Sequence, residues 1–96
     1  MPSEQIAITD RPRSDRYELE VDGELVGVLS NTLGSGVITH RHAEVRPSRG
    51  RRGLGSQLAR FALDDARARG LTVKPLCPFV AAFIVRHPEY EDLVAS

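Results

Sequence analysis

RPSRGRRGLGSQLARFALDDARARG, residues 46–70, decides how the rest of the chain is read. It opens as a loop rich in glycine and arginine and runs straight into an amphipathic helix. Gly50, Gly53 and Gly55 remove side chains from the turn, so backbone N–H groups there can approach a ligand closely. The first helical turn that follows carries unpaired N–H donors and the positive end of the helix dipole. Arg49, Arg51 and Arg52 add guanidinium forks that match phosphate oxygens. Together these features describe a site for a phosphorylated ligand. The spacing sets aside two common phosphate loops. No Lys-Ser/Thr pair follows the last glycine, as a Walker A loop requires, and Leu58 stands where a dinucleotide fingerprint needs its third glycine.

Upstream of the loop, Tyr17, Leu19 and Val21 alternate with Glu18, Glu20 and Asp22, the pattern of a half-buried strand. Asp22-Gly23 is a two-residue hairpin signal. The return strand spans residues 24–32, with Leu25, Gly27 and Leu29 on one face and Val26 and Val28 on the other. A second turn at residues 33–36 leads into a strand over 37–45, so three strands form an antiparallel meander, preceded by a short edge strand at residues 6–9. On the last of these strands, period-two alternation places His40, His42 and Glu44 on one face.

Downstream, a helix over residues 53–69 buries Leu54, Leu58, Phe61, Ala62 and Ala66. It pairs Asp65 with Arg69 and stops at Gly70. Residues 71–76 form the next strand, which the helical crossover makes parallel to the 37–45 strand. Cys77-Pro78 reads as an N-cap followed by Pro at the first helical position. A helix over 79–87 then buries Val80, Phe83 and Ile84, Pro88 breaks it, and residues 89–94 add one more helical turn.

Composition limits the partners. The 96 residues suit a single domain with one modest core. Aromatic residues make up 5% with no Trp, which leaves no stacking platform for single-stranded nucleic acid. A formal net charge of zero argues against a protein that coats nucleic acid or an anionic membrane. Acidic residues collect in the first hairpin (Asp15, Glu18, Glu20, Asp22, Glu24), whereas Arg41, Arg46, Arg49, Arg51, Arg52 and Arg60 surround the loop. That pattern fits a small polyanion. One cysteine rules out an internal disulfide and fits a reducing compartment, with the cytoplasm as the default location. No apolar run reaches membrane-spanning length.

The order of meander, x-x-x-Gly-x-Gly at a helix mouth (Gly50-Arg51-Arg52-Gly53-Leu54-Gly55) and parallel strand resembles the GNAT superfamily of acyl-CoA N-acyltransferases. Their pyrophosphate loop reads Gln/Arg-x-x-Gly-x-Gly/Ala. Here Gly50 stands where Gln or Arg is usual, and Arg49 lies one place early. Pro75-Leu76-Cys77-Pro78-Phe79-Val80, Arg86-His87-Pro88-Glu89-Tyr90 and the upstream His42-x-Glu44-Val45 are similar to the small single-domain members, the YjdJ-type N-acetyltransferase-like family. The resemblance runs over residues 17–94 and implies an α+β fold, a reduced GNAT core. That core has the antiparallel meander, the pyrophosphate-loop helix, a splayed parallel strand and short C-terminal helices. It also implies acetyl-CoA in the cleft between the splayed strands. The pantetheine arm would pair near Val45, and the pyrophosphate would sit on Arg51, Arg52, Gly53, Leu54, Gly55 and Ser56, with Arg49 and Gly50 beside it and Phe83 against the cofactor.

The same resemblance assigns the chemistry. Glu44 or His42 would deprotonate an ammonium, directly or through water. Cys77 opens a helix, a placement that activates thiols in general, and the resemblance turns it towards the thioester. There it would act as acetyl-accepting nucleophile or proton donor, the alternative being a small buried hydrophobe. Phe83, where relatives often carry Tyr or Trp, has no hydroxyl to donate. Tyr90, the candidate for the phenolic acid of larger relatives, is better placed for packing after the helix break, which points to Cys77 or solvent as the proton source. His40, His42, Glu44 and His87 make no closed zinc set, and no nucleophile elbow occurs. The expectation is an acetyl-CoA-dependent N-acetyltransferase acting on an amine, small molecule or protein, with backbone N–H groups meeting the developing oxyanion. Two further readings stay open: CoA binding without catalysis, and an arginine-loop module that contacts nucleic acid or protein.

Overall fold

Asp22 and Gly23 both adopt left-handed backbone (φ 52° and 84°), giving a two-residue turn whose twist matches that of the strands it joins. In the computed structural model, which describes residues 5–46 and 53–95, that turn links β2 (Arg16–Val21) to β3 (Glu24–Gly34). Ser35 and Gly36 repeat the left-handed turn and lead into β4 (Val37–Val45). β1 (Ile6–Arg11) lies antiparallel to β2 at the sheet edge, joined to it through a 3-10 turn at Pro12–Ser14. After β4 the chain forms α1 (Leu54–Ala68), β5 (Thr72–Pro75), α2 (Pro78–Arg86) and a 3-10 segment, Pro88–Leu93. The sheet order is β1-β2-β3-β4-β5, with β5 parallel to β4 and every other pair antiparallel. The expected architecture is therefore present: an α+β fold with an antiparallel meander, a crossover helix and a parallel fifth strand. Among the described residues no helix is long and apolar enough to cross a membrane.

One sheet face carries the core. Tyr17, Leu19 and Val21 of β2, Leu29 of β3, Ile38 of β4 and Val73 of β5 are buried with Leu54, Leu58, Ala62, Leu63 and Ala66 of α1 and Val80, Phe83 and Ile84 of α2. The opposite face, with Arg16, Glu18, Val28, Ser30 and Thr39, is half-buried, as in antiparallel sheets covered on one side.

Two features depart from simple alternation. Leu19 faces Gly27 but Glu20 faces Leu25, so Val26 is an extra residue and the register slips. As a result Val26, Gly27 and Leu29 are all buried, rather than Val26 lying opposite the other two. On α1, Phe61 is 37% exposed, its ring edge-on to Tyr17 at 5.9 Å, and Ala59 and Leu63 take the core positions beside Leu58 and Ala62.

Polar bonds fix α1 to its surroundings. The Tyr17 hydroxyl donates to Asp65 Oδ2 at 2.8 Å, and Arg69 Nη1 reaches the same oxygen at 3.0 Å. Burial, reinforced by that bond to Asp65, raises the Tyr17 phenol well above its ordinary range. Arg67 grips both Asp92 oxygens at 2.9 Å and the Glu89 carbonyl at 2.7 Å. The chain end then runs beside β5, where Val94 pairs in parallel with Val73 and the Ala95 N–H donates to the Val73 carbonyl at 2.9 Å.

In urea unfolding, Leu63→Ala should lower stability by about 2–5 kcal/mol, because it opens a cavity at a site with no solvent exposure. Tyr17→Phe, which removes one hydrogen bond and keeps the ring, should cost about 1 kcal/mol with an unchanged denaturant slope.

Candidate functional site

The parallel ladder is short. Val37, Ile38, Thr39 and His40 face Thr72, Val73, Lys74 and Pro75, and the ladder goes no further. The Cys77 N–H donates to the His40 carbonyl at 2.8 Å as the final tie. Pro75 brings no N–H to the ladder. Cys77 (φ −71°, ψ 121°) then turns the chain into α2, with Pro78 at its first position. Beyond His40 the strands part, and residues 41–45 of β4 keep β3 on one side with no strand on the other among the described residues.

A bulge in β4 coincides with this parting. Ser30 faces His42 and Asn31 faces His40, leaving Arg41 between them as an extra residue. Arg41 Nη2 donates to the Asn31 carbonyl at 3.0 Å. One extra residue inverts the alternation. Ile38 and His40 lie on the buried side, and after the bulge Ala43 and Val45 pack against the core. His42 and Glu44 are exposed, with His42 Nε2 at 3.0 Å from Glu44 Oε1. The expectation that His40 shares their face is therefore wrong, and the bulge is the reason.

His40 has no solvent exposure, and neither ring nitrogen has a partner among the described residues. Burial pushes its pKa down to about 4, so the ring is neutral at physiological pH. Asn31 faces it and is also buried, with Nδ2 unpartnered among the described residues. Sequence reading missed this pair, although the alternation from Ile38 already assigns His40 to the core side.

At the head of α1, the cap residue Gly53 takes left-handed backbone (φ 88°) and brings no side-chain cap, and no acidic residue occupies the first turn. The N-terminal amides thus face no competing carboxylate. Leu54 is buried and Ser56 half-buried. Gly55 has a packing reason to be glycine besides ligand clearance, since a Cβ there would lie 2.9 Å from Phe79 Cζ. Arg49, Gly50, Arg51 and Arg52 lie outside the described residues.

The remaining expected residues divide by depth. Val45 ends β4, half-buried and opposite Gly27. Cys77 is 2% exposed, caps α2 through its backbone, and makes no side-chain capping bond. Phe83 is buried, stacked on His87 at 4.0 Å with the Arg60 guanidinium 5.4 Å from its centroid. Tyr90 Oη donates to Asp64 Oδ1 at 2.6 Å and accepts from Arg60 at 3.1 Å, in keeping with packing. An open groove of about 680 Å³ is lined by Arg16, Leu25, Val28, Glu44 and Arg46 among others. Arg16 is paired with Glu18 (2.6 Å) and Arg46 with Glu24 (3.1 Å). Glu44 thus brings a carboxylate to this groove, and His42 lies beside that carboxylate.

Comparison with known proteins follows the same outline. Residues 16–93 match the family model described as GCN5-related N-acetyl-transferase. The solution structure of a GCN5-like candidate N-acetyltransferase from Staphylococcus aureus aligns with a TM-score of 0.71 at 16% identity, covering 94% of this chain and 88% of that one. The ribosomal-protein-alanine N-acetyltransferase from Brucella melitensis biovar Abortus 2308 aligns with a TM-score of 0.53 at 21% identity, covering 84% of this chain and 63% of that one. Both likenesses are of fold. Among curated proteins none matches the sequence.

The depressed His40 pKa predicts an acid-sensitive fold. The unfolded chain binds a proton at this residue near pH 6.5, the folded chain only near pH 4. Stability should therefore fall as pH drops from 6.5 towards 4, by on the order of 3 kcal/mol from this group. Urea unfolding at stepped pH should show that slope in the wild-type protein and a shallower one in His40→Leu, where the salt-bridged Glu18 and Asp92 still contribute.

Proposed function

The chain belongs to the GCN5-related N-acetyltransferase family, whose members are acyl-transfer enzymes, and on that premise we propose that it moves the acetyl group of acetyl-CoA to an amine. The observation that carries this reading is the His42–Glu44 pair, held at 3.0 Å on the exposed side of the strand that parts from β5. Three features support the substrate. The amides of Leu54, Gly55 and Ser56 open a helix whose cap residue, Gly53, has no side chain to satisfy them, an end suited to a pyrophosphate, with Arg49, Gly50, Arg51 and Arg52 preceding it in sequence. The free edge of residues 41–45, ending at Val45, suits an amide-bearing pantetheine arm. The groove beside Glu44 suits the acceptor.

In the reaction, Glu44 takes a proton from the ammonium, and His42 beside it orients the carboxylate. The freed amine attacks the thioester carbonyl, backbone N–H groups of residues 41–45 meet the oxyanion, and the nitrogen gives its extra proton to water as the C–S bond breaks. The leaving sulfur takes a proton from Cys77 or water, and the amide product forms by direct transfer. Burial of the Cys77 thiol weighs against an acetyl-carrying nucleophile, which a reactant must reach, and by the same measure favours water over Cys77 as the proton source. Phe83 backs the cleft from within the core. An unpaired cysteine and dependence on acetyl-CoA both suit the cytoplasm.

At a hundred times its dissociation constant, acetyl-CoA should stabilise the fold by about 2.7 kcal/mol, seen as a thermal shift that ATP and NAD do not reproduce. A CoA-binding protein without catalysis would show the shift but release no thiol when offered amines. An arginine-loop module would show no shift and would retain DNA or RNA in a salt-sensitive manner.

Glu44→Gln should lower kcat/KM on the order of a hundredfold with little change in acetyl-CoA affinity. Intact mass after incubation with acetyl-CoA should show no acetyl group on Cys77. A stable adduct there, abolished by Cys77→Ala together with turnover, would replace direct transfer by a two-step route.

A further inference from the structure

We propose that Asn31 and His40 bind internal water at the point where β4 leaves β5, and that His40 is thereby a positioning residue for the acetyl-CoA cleft. The second half rests on the functional reading above. These two are the buried polar side chains among the described residues, and they stand opposite each other across β3 and β4. Their neighbours on the same face are Leu29, Ile38 and Val73, all buried. Asn31 Nδ2 and both His40 nitrogens lack partners among the described residues. Buried polar atoms in folded proteins find a partner, and water supplies it where two to four polar groups converge. A water there accepts from Asn31 Nδ2–H and donates to the bare nitrogen of the neutral ring, and a second takes the remaining ring N–H.

The location gives the site its consequence. The His40 carbonyl holds the Cys77 amide, and the next residue is the bulge that sends His42 and Glu44 to the open face. A polar pair in an otherwise apolar layer therefore fixes the residue from which both arms of the cleft diverge. Local rules of core composition are broken at functional positions more than elsewhere. The hydrated pair sets how residues 41–45 are presented to the pantetheine arm, without touching the reacting atoms.

The test uses the full chain in solution by NMR. Cross-relaxation from long-lived water to the His40 ring protons and the Asn31 side-chain amide is expected, and its absence overturns the site. In Asn31→Val/His40→Leu, where both partners become apolar, the fold should melt no lower than wild type. Its KM for acetyl-CoA should nevertheless rise about tenfold with kcat little changed. His40→Gln, which keeps a donor and an acceptor, should recover most of the affinity and serves if the double variant fails to fold. An unchanged KM in either His40→Leu or the double variant, with the water signals lost, overturns the positioning role. If the wild-type protein does not bind acetyl-CoA at all, the functional reading falls with that role, and the water signals alone decide the site.

Discussion

The hydrogen bond from the Cys77 amide to the His40 carbonyl is the constraint on which the rest of the structure depends. On one side of it, four residues of β4 and four of β5 run as an ordinary parallel ladder. On the other, the two strands share no backbone bonds among the described residues. Parallel strands do not normally separate within a sheet, because each unpaired N–H and C=O must find another acceptor or donor. The separation is built in by two prolines, Pro75 before the tie and Pro78 after it, and by the extra residue Arg41 on the facing strand. What holds the divergent halves together is side-chain packing: the Phe79 ring on Gly55 joins the start of α2 to the start of α1.

α1 is the strut that makes this tolerable. Two adjacent carboxylates on it, Asp64 and Asp65, receive tyrosine hydroxyls from different parts of the molecule. Asp65 is met by Tyr17 from the sheet and Asp64 by Tyr90 from the C-terminal 3-10 segment. Burial, then the bond to its carboxylate, raises each phenol, so both remain donors at physiological pH. Charge-assisted bonds from partly buried donors are stronger than the exposed ion pairs around them. Arg60 adds a guanidinium beside Phe83 and Tyr90, which closes the C-terminal side of the core.

Much of this was readable from residues alone. The alternation of Tyr17, Leu19 and Val21, the Asp22-Gly23 turn, the 3.6-residue stripe of Leu54, Leu58, Ala62 and Ala66, and Pro78 after Cys77 each state a local preference that the fold obeys. The failures on the sheet share one cause. A period-two reading has no symbol for an extra residue, so the bulges at Val26 and Arg41 escaped it, and each moved side chains to the other face. Gly55 was legible as a glycine needed at a close approach, but not that Phe79 is what approaches. Phe61 lay within the apolar stripe, yet the neighbouring Ala59 and Leu63 fill the space and leave its ring at the rim. Arg49, Gly50, Arg51 and Arg52, where the sequence signal was most specific, lie outside the described residues.

The strand-like return of Val94 and Ala95 along β5 leaves the sheet asymmetric at its two borders. That outer flank of β5 is met at Val73, whereas the outer flank of β1 has no neighbour among the described residues. A strand added along β5 would first have to displace Val94 and Ala95 from Val73, a cost that addition along β1 does not carry.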